Sequence, residues 1–122
     1  MPMKIDPRQV EDAAKQLYIR ALKLLPPDIK SGFARAVLSE TAPGARAVLD
    51  TMVANIAVAE KTDNLLCQDT GIPIYNVVIG RNVDVDGAAL KAAIRRGCER
   101  ATREHPLRSS VVHPLTRANE HT

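Results

Sequence analysis

A chain of 122 residues with 45% hydrophobic and 25% charged side chains has the size of one domain and is too apolar and too regularly patterned for a disordered segment. Its 17 lysines and arginines against 14 aspartates and glutamates leave a formal charge of +3 with 2% aromatic residues, so the base-stacking rings of a nucleic-acid surface are missing and no nucleic-acid partner is expected. The first dozen residues are charged where a secretory leader is apolar, and no run reaches the roughly 18 apolar residues of a membrane span, so a cytoplasmic protein with no membrane partner is expected.

Apolar residues at Val10, Ala13, Ala14, Leu17, Ala21 and Leu24 repeat at three-and-four spacing and predict a helix over 7–25, ended by Pro26 and Pro27. Asp28 reads as the N-cap of a second, shorter helix with Ile29, Phe33, Ala36 and Val37 on one side, closing near Pro43–Gly44. A third helix carries Val48, Met52, Ile56 and Ala59, with Leu49, Val53 and Ala57 widening the stripe. Asn55 interrupts that face, and a structural bond to a neighbouring loop is its expected role.

The β-branched run 72–79, set between the polar turn 68–71 and Gly80, predicts a buried strand, with Val83 and Val85 extending the sheet. Asp86 is the expected N-cap of a fourth helix whose inward face is Leu90, Ala93, Ile94, Gly97, Cys98 and Ala101, stopped by Pro106. Arg95, Arg96, Arg100 and Arg103, with Glu99 and Glu104 among them, read as its solvated face. The fold class is therefore α+β: a helix-rich N-terminal half, then a small sheet containing 72–80 and a further helix. Residues 113–122 have no periodic pattern, and the chain is expected to stop in mid-structure.

Two short stretches have the composition of site loops: Cys67-Gln68-Asp69-Thr70-Gly71, between a helix and the expected strand, and Leu107-Arg108-Ser109-Ser110, after the fourth helix. A cysteine in such a turn presents its sulfur, and neighbouring backbone N–H groups stabilise the thiolate that a metal needs. Asp69 and Thr70 can hydrogen-bond within the turn and stiffen it. The residue types alone equally describe an ordinary turn with a buried cysteine. In a reducing compartment Cys67 and Cys98 are expected to be unpaired.

The turn CQDTG, the helix RAVLDTMVANIAVAE before it and the tail LRSSVVHPLTRANEHT resemble the alpha region of class I fumarate hydratases and L-tartrate dehydratases, from about Leu25 to Thr122. The resemblance implies an N-terminal part, 1–122, of a larger iron–sulfur hydro-lyase domain truncated at its C-terminal end. It implies Cys67 as one of three thiolate ligands of a four-iron four-sulfur cluster, Gln68 as a substrate-binding residue, Asp69 as a catalytic residue in a proton network, and Arg108 as the clamp on a substrate carboxylate. The complete enzyme would hydrate fumarate to malate. The alternatives are the alpha subunit of an L-tartrate dehydratase or a noncatalytic, truncated interaction module. Either enzyme implies a C-terminal (beta) domain or subunit and a homo- or hetero-oligomer, and the chain alone is expected to be inactive.

Other signals point elsewhere. Asn82-Val83-Asp84-Val85-Asp86-Gly87 imitates the start of a calcium loop, but its twelfth position is Ala93 rather than a bidentate glutamate. His105, His113 and His121 lack partners at zinc-site spacing; His113 is read as a solvent-facing loop residue, with lining of a substrate pocket as the alternative. Cys98, on the inward stripe of its helix, is expected to be a small buried hydrophobe.

Overall fold

A computed structural model describes residues 3–66, 71–105, 107–109 and 111–119. The elements among them are β1 (Met3–Lys4), α1 (Pro7–Lys23), α2 (Pro27–Ser39), α3 (Pro43–Thr62), β2 (Val83–Asp84) and α4 (Gly87–Glu104). They divide into two units. The first takes the described residues within Met1–Ile19 and Gln68–Thr122, and the second those within Arg20–Cys67. The expected class is observed: a helix-rich N-terminal half, a small sheet and a further helix. Among the described residues no helix is long and apolar enough to cross a membrane.

In the first unit, α1 approaches α4 where side chains are smallest. A Cβ on Gly97 would stand 2.5 Å from the Glu11 carbonyl oxygen, 2.8 Å from the Ala14 Cβ and 3.0 Å from the Lys15 nitrogen. Ala14, Ala93, Cys98 and Ala101 are buried around this crossing, so the core is made of backbone proximity and small side chains rather than large interlocking ones. Asp86 caps α4 as expected, its carboxylate accepting from the Ala88 N–H at 2.8 Å.

The inward face of α1 differs from the expected stripe. Ala14 and Ile19 are buried, whereas Leu17 is exposed, because the close approach of Gly97 draws the 11–15 face inward. Val10, Ala13 and Leu17 instead line an apolar groove of about 310 Å³ with Tyr75, Ile79 and Ile94. The basic face of α4 is also only partly solvated. Arg96 donates to Glu11 at 2.8 Å, Arg100 to Glu11 at 2.9 Å and to Asp12 at 2.7 Å, and Lys15 pairs with Glu104.

Hydrogen bonds from Arg96 and then Arg100 hold the Glu11 carboxyl below the usual carboxylate range, and Lys15 does the same for Glu104. A depressed folded value means that these pairs stabilise the unit above the unfolded-state carboxylate pKa and lose that effect as pH falls through the folded value. Thermal melts should therefore show stability declining as pH drops below about 5, and Glu11→Gln should flatten that slope. A variant with the parental acid slope would remove Glu11 from the account.

The strand expected over 72–80 is not formed: residues 71–80 enter no ladder. A strand exists only through its partner, and among the described residues nothing pairs with this run, leaving Ile74 86% and Val78 97% exposed. The sheet is made instead by β1 and β2 in parallel, with Met3 opposite Val83 and Lys4 opposite Asp84. A strand thus precedes the helices, and of the expected sheet residues Val83 alone lies in a strand.

In the second unit α2 packs on α3. The prolines begin helices rather than merely interrupting them. Pro26, not Asp28, occupies the N-cap of α2, with Pro27 at its first position, and α3 starts at Pro43 behind Ala42. Proline has no N–H to lose there and its φ suits the first turn, while Asp28 complements the helix dipole from inside that turn. The α3 stripe is buried at Ala59 and half-covered at Leu49 and Ile56, but Val48 and Met52 are exposed.

Candidate functional site

Cys67, Gln68 and Asp69 lie outside the described residues; Arg108 lies within them. The chain leading up to Cys67 is held in the second unit. α3 ends at Asp63, which takes the left-handed conformation at φ 54° and ion-pairs with Lys23 at 2.8 Å, and the Asn64 N–H donates back to Ala59 at 3.0 Å. Leu66, the residue before Cys67, is bonded on both sides. Its N–H donates to the Leu22 carbonyl at 3.3 Å, and its carbonyl accepts from the Asn55 side-chain amide at 3.0 Å. Asn55 thus makes the loop bond expected of it.

After residue 71, in the first unit, Tyr75 is the anchor. Its hydroxyl donates to the Ala14 carbonyl at 2.9 Å and lies 3.3 Å from the Cys98 sulfur. A hydroxyl has one proton, so the thiol is the donor in the second contact. Burial first, then the hydrogen bond and charge of Cys98, push the Tyr75 phenol well above the usual tyrosine range; burial also raises Tyr18 beside it. Cys98, 3% exposed, is the packed structural thiol that its helical position implied. Tyr75 was not singled out from the sequence. Its signal was an isolated hydroxyl in an otherwise aliphatic run, since a half-buried phenol needs a partner.

Arg108 is exposed and lies outside any helix or strand, after α4. Its neighbour Ser109 bonds to Asn119, which returns a bond to the Ser109 carbonyl at 3.4 Å. A bridge between Val112 and Asn119 and a His113–Ala118 backbone bond of 2.8 Å close the 112–119 turn. His113 stays exposed, and its Nδ1 accepts from the Leu115 and Thr116 N–H groups at 3.3 and 3.2 Å; it ties the turn.

The apolar groove beside Tyr75 has no charged residue in its lining, so it lacks the cations needed to hold a dicarboxylate. The donor set also limits what the chain can bind. It has two cysteines, and one of them, Cys98, is buried and engaged with Tyr75. A three-thiolate cluster therefore does not fit this chain by itself, which has Cys67 alone to offer. Among the described residues no three His, Cys, Asp or Glu side chains are grouped for a metal, and Asp86 of the calcium-like stretch is engaged as a helix cap.

Comparison with known proteins covers both candidate loops. The family model described as fumarate hydratase (fumerase) matches residues 11–122. A protein of Methanocaldococcus jannaschii, provisionally named L(+)-tartrate dehydratase subunit alpha, is 37% identical over 112 residues, or 91% of this chain and 39% of that protein. A protein of Geobacillus stearothermophilus, provisionally named fumarate hydratase class I, is 30% identical over 106 residues, or 85% of this chain and 20% of that protein. The chain thus spans about two-fifths and one-fifth of the lengths of these relatives. With a match that runs through Cys67-Gln68-Asp69-Thr70-Gly71 and Leu107-Arg108-Ser109-Ser110 alike, the chain belongs to the fumarate hydratase (fumerase) family.

Proposed function

We propose that this chain is the N-terminal part of the alpha region of an iron–sulfur hydro-lyase that adds water to fumarate, or removes it from a 2-hydroxy dicarboxylate. The observation that carries the reading is the family match over 11–122, which includes Cys67, Gln68, Asp69 and Arg108 together. In the dehydrating direction a C–H bond beside one carboxylate gives up its proton, the C–O bond of the neighbouring hydroxyl breaks, and the oxygen leaves as water.

Each residue has a part suited to its chemistry. Arg108 offers a planar fork of donors to one carboxylate. Gln68 can donate to and accept from a substrate oxygen. Asp69 belongs to the network that moves the proton. Cys67 supplies one thiolate; the other two cluster cysteines come from beyond this stretch of the chain, and the remaining acid–base and carboxylate-binding groups come largely from a C-terminal (beta) region. The isolated chain is therefore inactive.

Tartrate is the second reading. The Methanocaldococcus relative named for tartrate dehydratase matches more of this chain, at higher identity, than the Geobacillus relative. Fumarate hydration and tartrate dehydration assayed on the complete enzyme would separate the two substrates. In the same enzyme, Arg108→Ala should lower kcat/KM by roughly 10- to 100-fold, the worth of a charged hydrogen-bonding group. Arg108→Lys should recover only part, because a point charge does not replace the fork. Kinetics unchanged by Arg108→Ala would take this side chain out of the site.

A further inference from the structure

The residue that follows Arg108 is gripped at two points by one side chain. The Ser109 hydroxyl donates to the Asn119 carboxamide oxygen, and the Asn119 Nδ2 donates to the Ser109 carbonyl at 3.4 Å. A primary amide carries an acceptor and a donor side by side, so asparagine answers both groups, whereas an aspartate of the same shape would set a second oxygen against the carbonyl. Asn119 is itself presented by a closed turn. It bridges Val112, the His113 N–H donates to the Ala118 carbonyl at 2.8 Å, and the Arg117 N–H donates to the His113 carbonyl at 2.9 Å with Arg117 in the left-handed conformation at φ 61°. The Ala118 N–H donates to the Thr116 hydroxyl at 3.3 Å, so the residue before Asn119 is held at both its N–H and its carbonyl. Arg108, Ser109 and the turn all belong to the first unit.

We propose that Asn119 is a positioning residue for Arg108, acting through Ser109. Holding the Ser109 side chain and carbonyl together fixes that residue, and the planar peptide that joins it to Arg108 carries the constraint one residue back. A two-point grip on a carboxylate depends on where the guanidinium fork starts from, and a small misplacement is costly. Asn119 touches no substrate in this scheme. The proposal rests on the reading of Arg108 as the carboxylate clamp, and its test separates the two.

The test has two arms. In the first, trypsin makes its first cuts in the full chain and in Asn119→Ala and Asn119→Asp, counted by the masses of the products. Cleavage of the Arg108–Ser109 bond requires Ser109 to leave Asn119 and follows the population of that open form. Both variants should speed it by about threefold or more relative to the Arg81–Asn82 bond before β2. The second arm is a double-mutant cycle on kcat/KM of the complete enzyme. Asn119→Ala should lower kcat/KM by roughly 3- to 10-fold, the worth of the lost hydrogen bonds, and should cost nothing further once Arg108 is alanine, because a residue that acts through another has no effect in its absence. Parental cleavage at Arg108–Ser109 in both variants would overturn the proposal. So would an Asn119→Ala effect that persists in full beside Arg108→Ala, which would give Asn119 a role of its own. A silent Asn119→Ala next to a damaging Arg108→Ala overturns the proposal alone, whereas a silent Arg108→Ala removes the reading of the clamp and the proposal with it.

Discussion

Gly97→Ala is expected to destabilise the first unit by about 1–2 kcal/mol net, a loss of roughly 4–8 °C in Tm. An added methyl group would meet the Glu11 carbonyl oxygen at 2.5 Å and the Lys15 nitrogen at 3.0 Å. Both are backbone atoms of α1, which cannot turn aside as a flexible side-chain tip can. The helices must move apart, and their separation uncovers Ala93, Cys98 and Ala101, which are buried around the same crossing. Overpacking of this kind costs about 1–3 kcal/mol and sometimes more, against about 1 kcal/mol gained when alanine replaces glycine within a helix. Gly87→Ala is the control, since nothing lies within 4 Å of a Cβ at that first position of α4. Thermal melts of the two variants decide the matter. If Gly97→Ala melts at or above the parental temperature, the close crossing of α1 and α4 is not what stabilises the unit.

The largest expected effect on activity is at Cys67. In the complete enzyme Cys67→Ala should lower kcat by at least about a thousandfold and remove the visible absorbance of the cluster, because a missing first ligand costs more than the 10- to 100-fold typical of its supporting groups. Cys98→Ala should keep both. Its sulfur is buried and bonded to Tyr75, so that change removes one weak hydrogen bond and a small volume, worth about 1–2 kcal/mol of stability. The contrast between the two cysteines tests the assignment. A Cys67→Ala enzyme that retained absorbance and turnover would show that this sulfur is no ligand.

These expectations draw unequally on sequence and structure. Cys67 and Arg108 could be named because the CQDTG and LRSS stretches resemble those of the family; residue type alone left an ordinary turn with a buried cysteine open. Gly97 could be placed on the inward stripe of α4, but nothing in its neighbours along the chain announced how near α1 would come. Asn55 was legible as a break in an apolar face. Its partner was not, because Leu66 lies 11 residues away and is reached only once α3 has ended at Asp63. Tyr75 stayed hidden inside an apparent strand, where β-branched neighbours dominate the pattern.

By itself the sequence determined the four helices, the Asp86 cap and the membership of a family, because helical periodicity, capping and a short motif are local properties of neighbouring residues. The tertiary structure alone decided which face of α1 turns inward, that residues 72–80 form no strand while Met3–Lys4 pairs with Val83–Asp84, and that Asn55 and Leu22 hold Leu66. Those outcomes depend on which atoms meet across long stretches of chain. A strand, a close helix crossing and a side-chain clamp all require a partner, and local sequence does not encode where that partner will be.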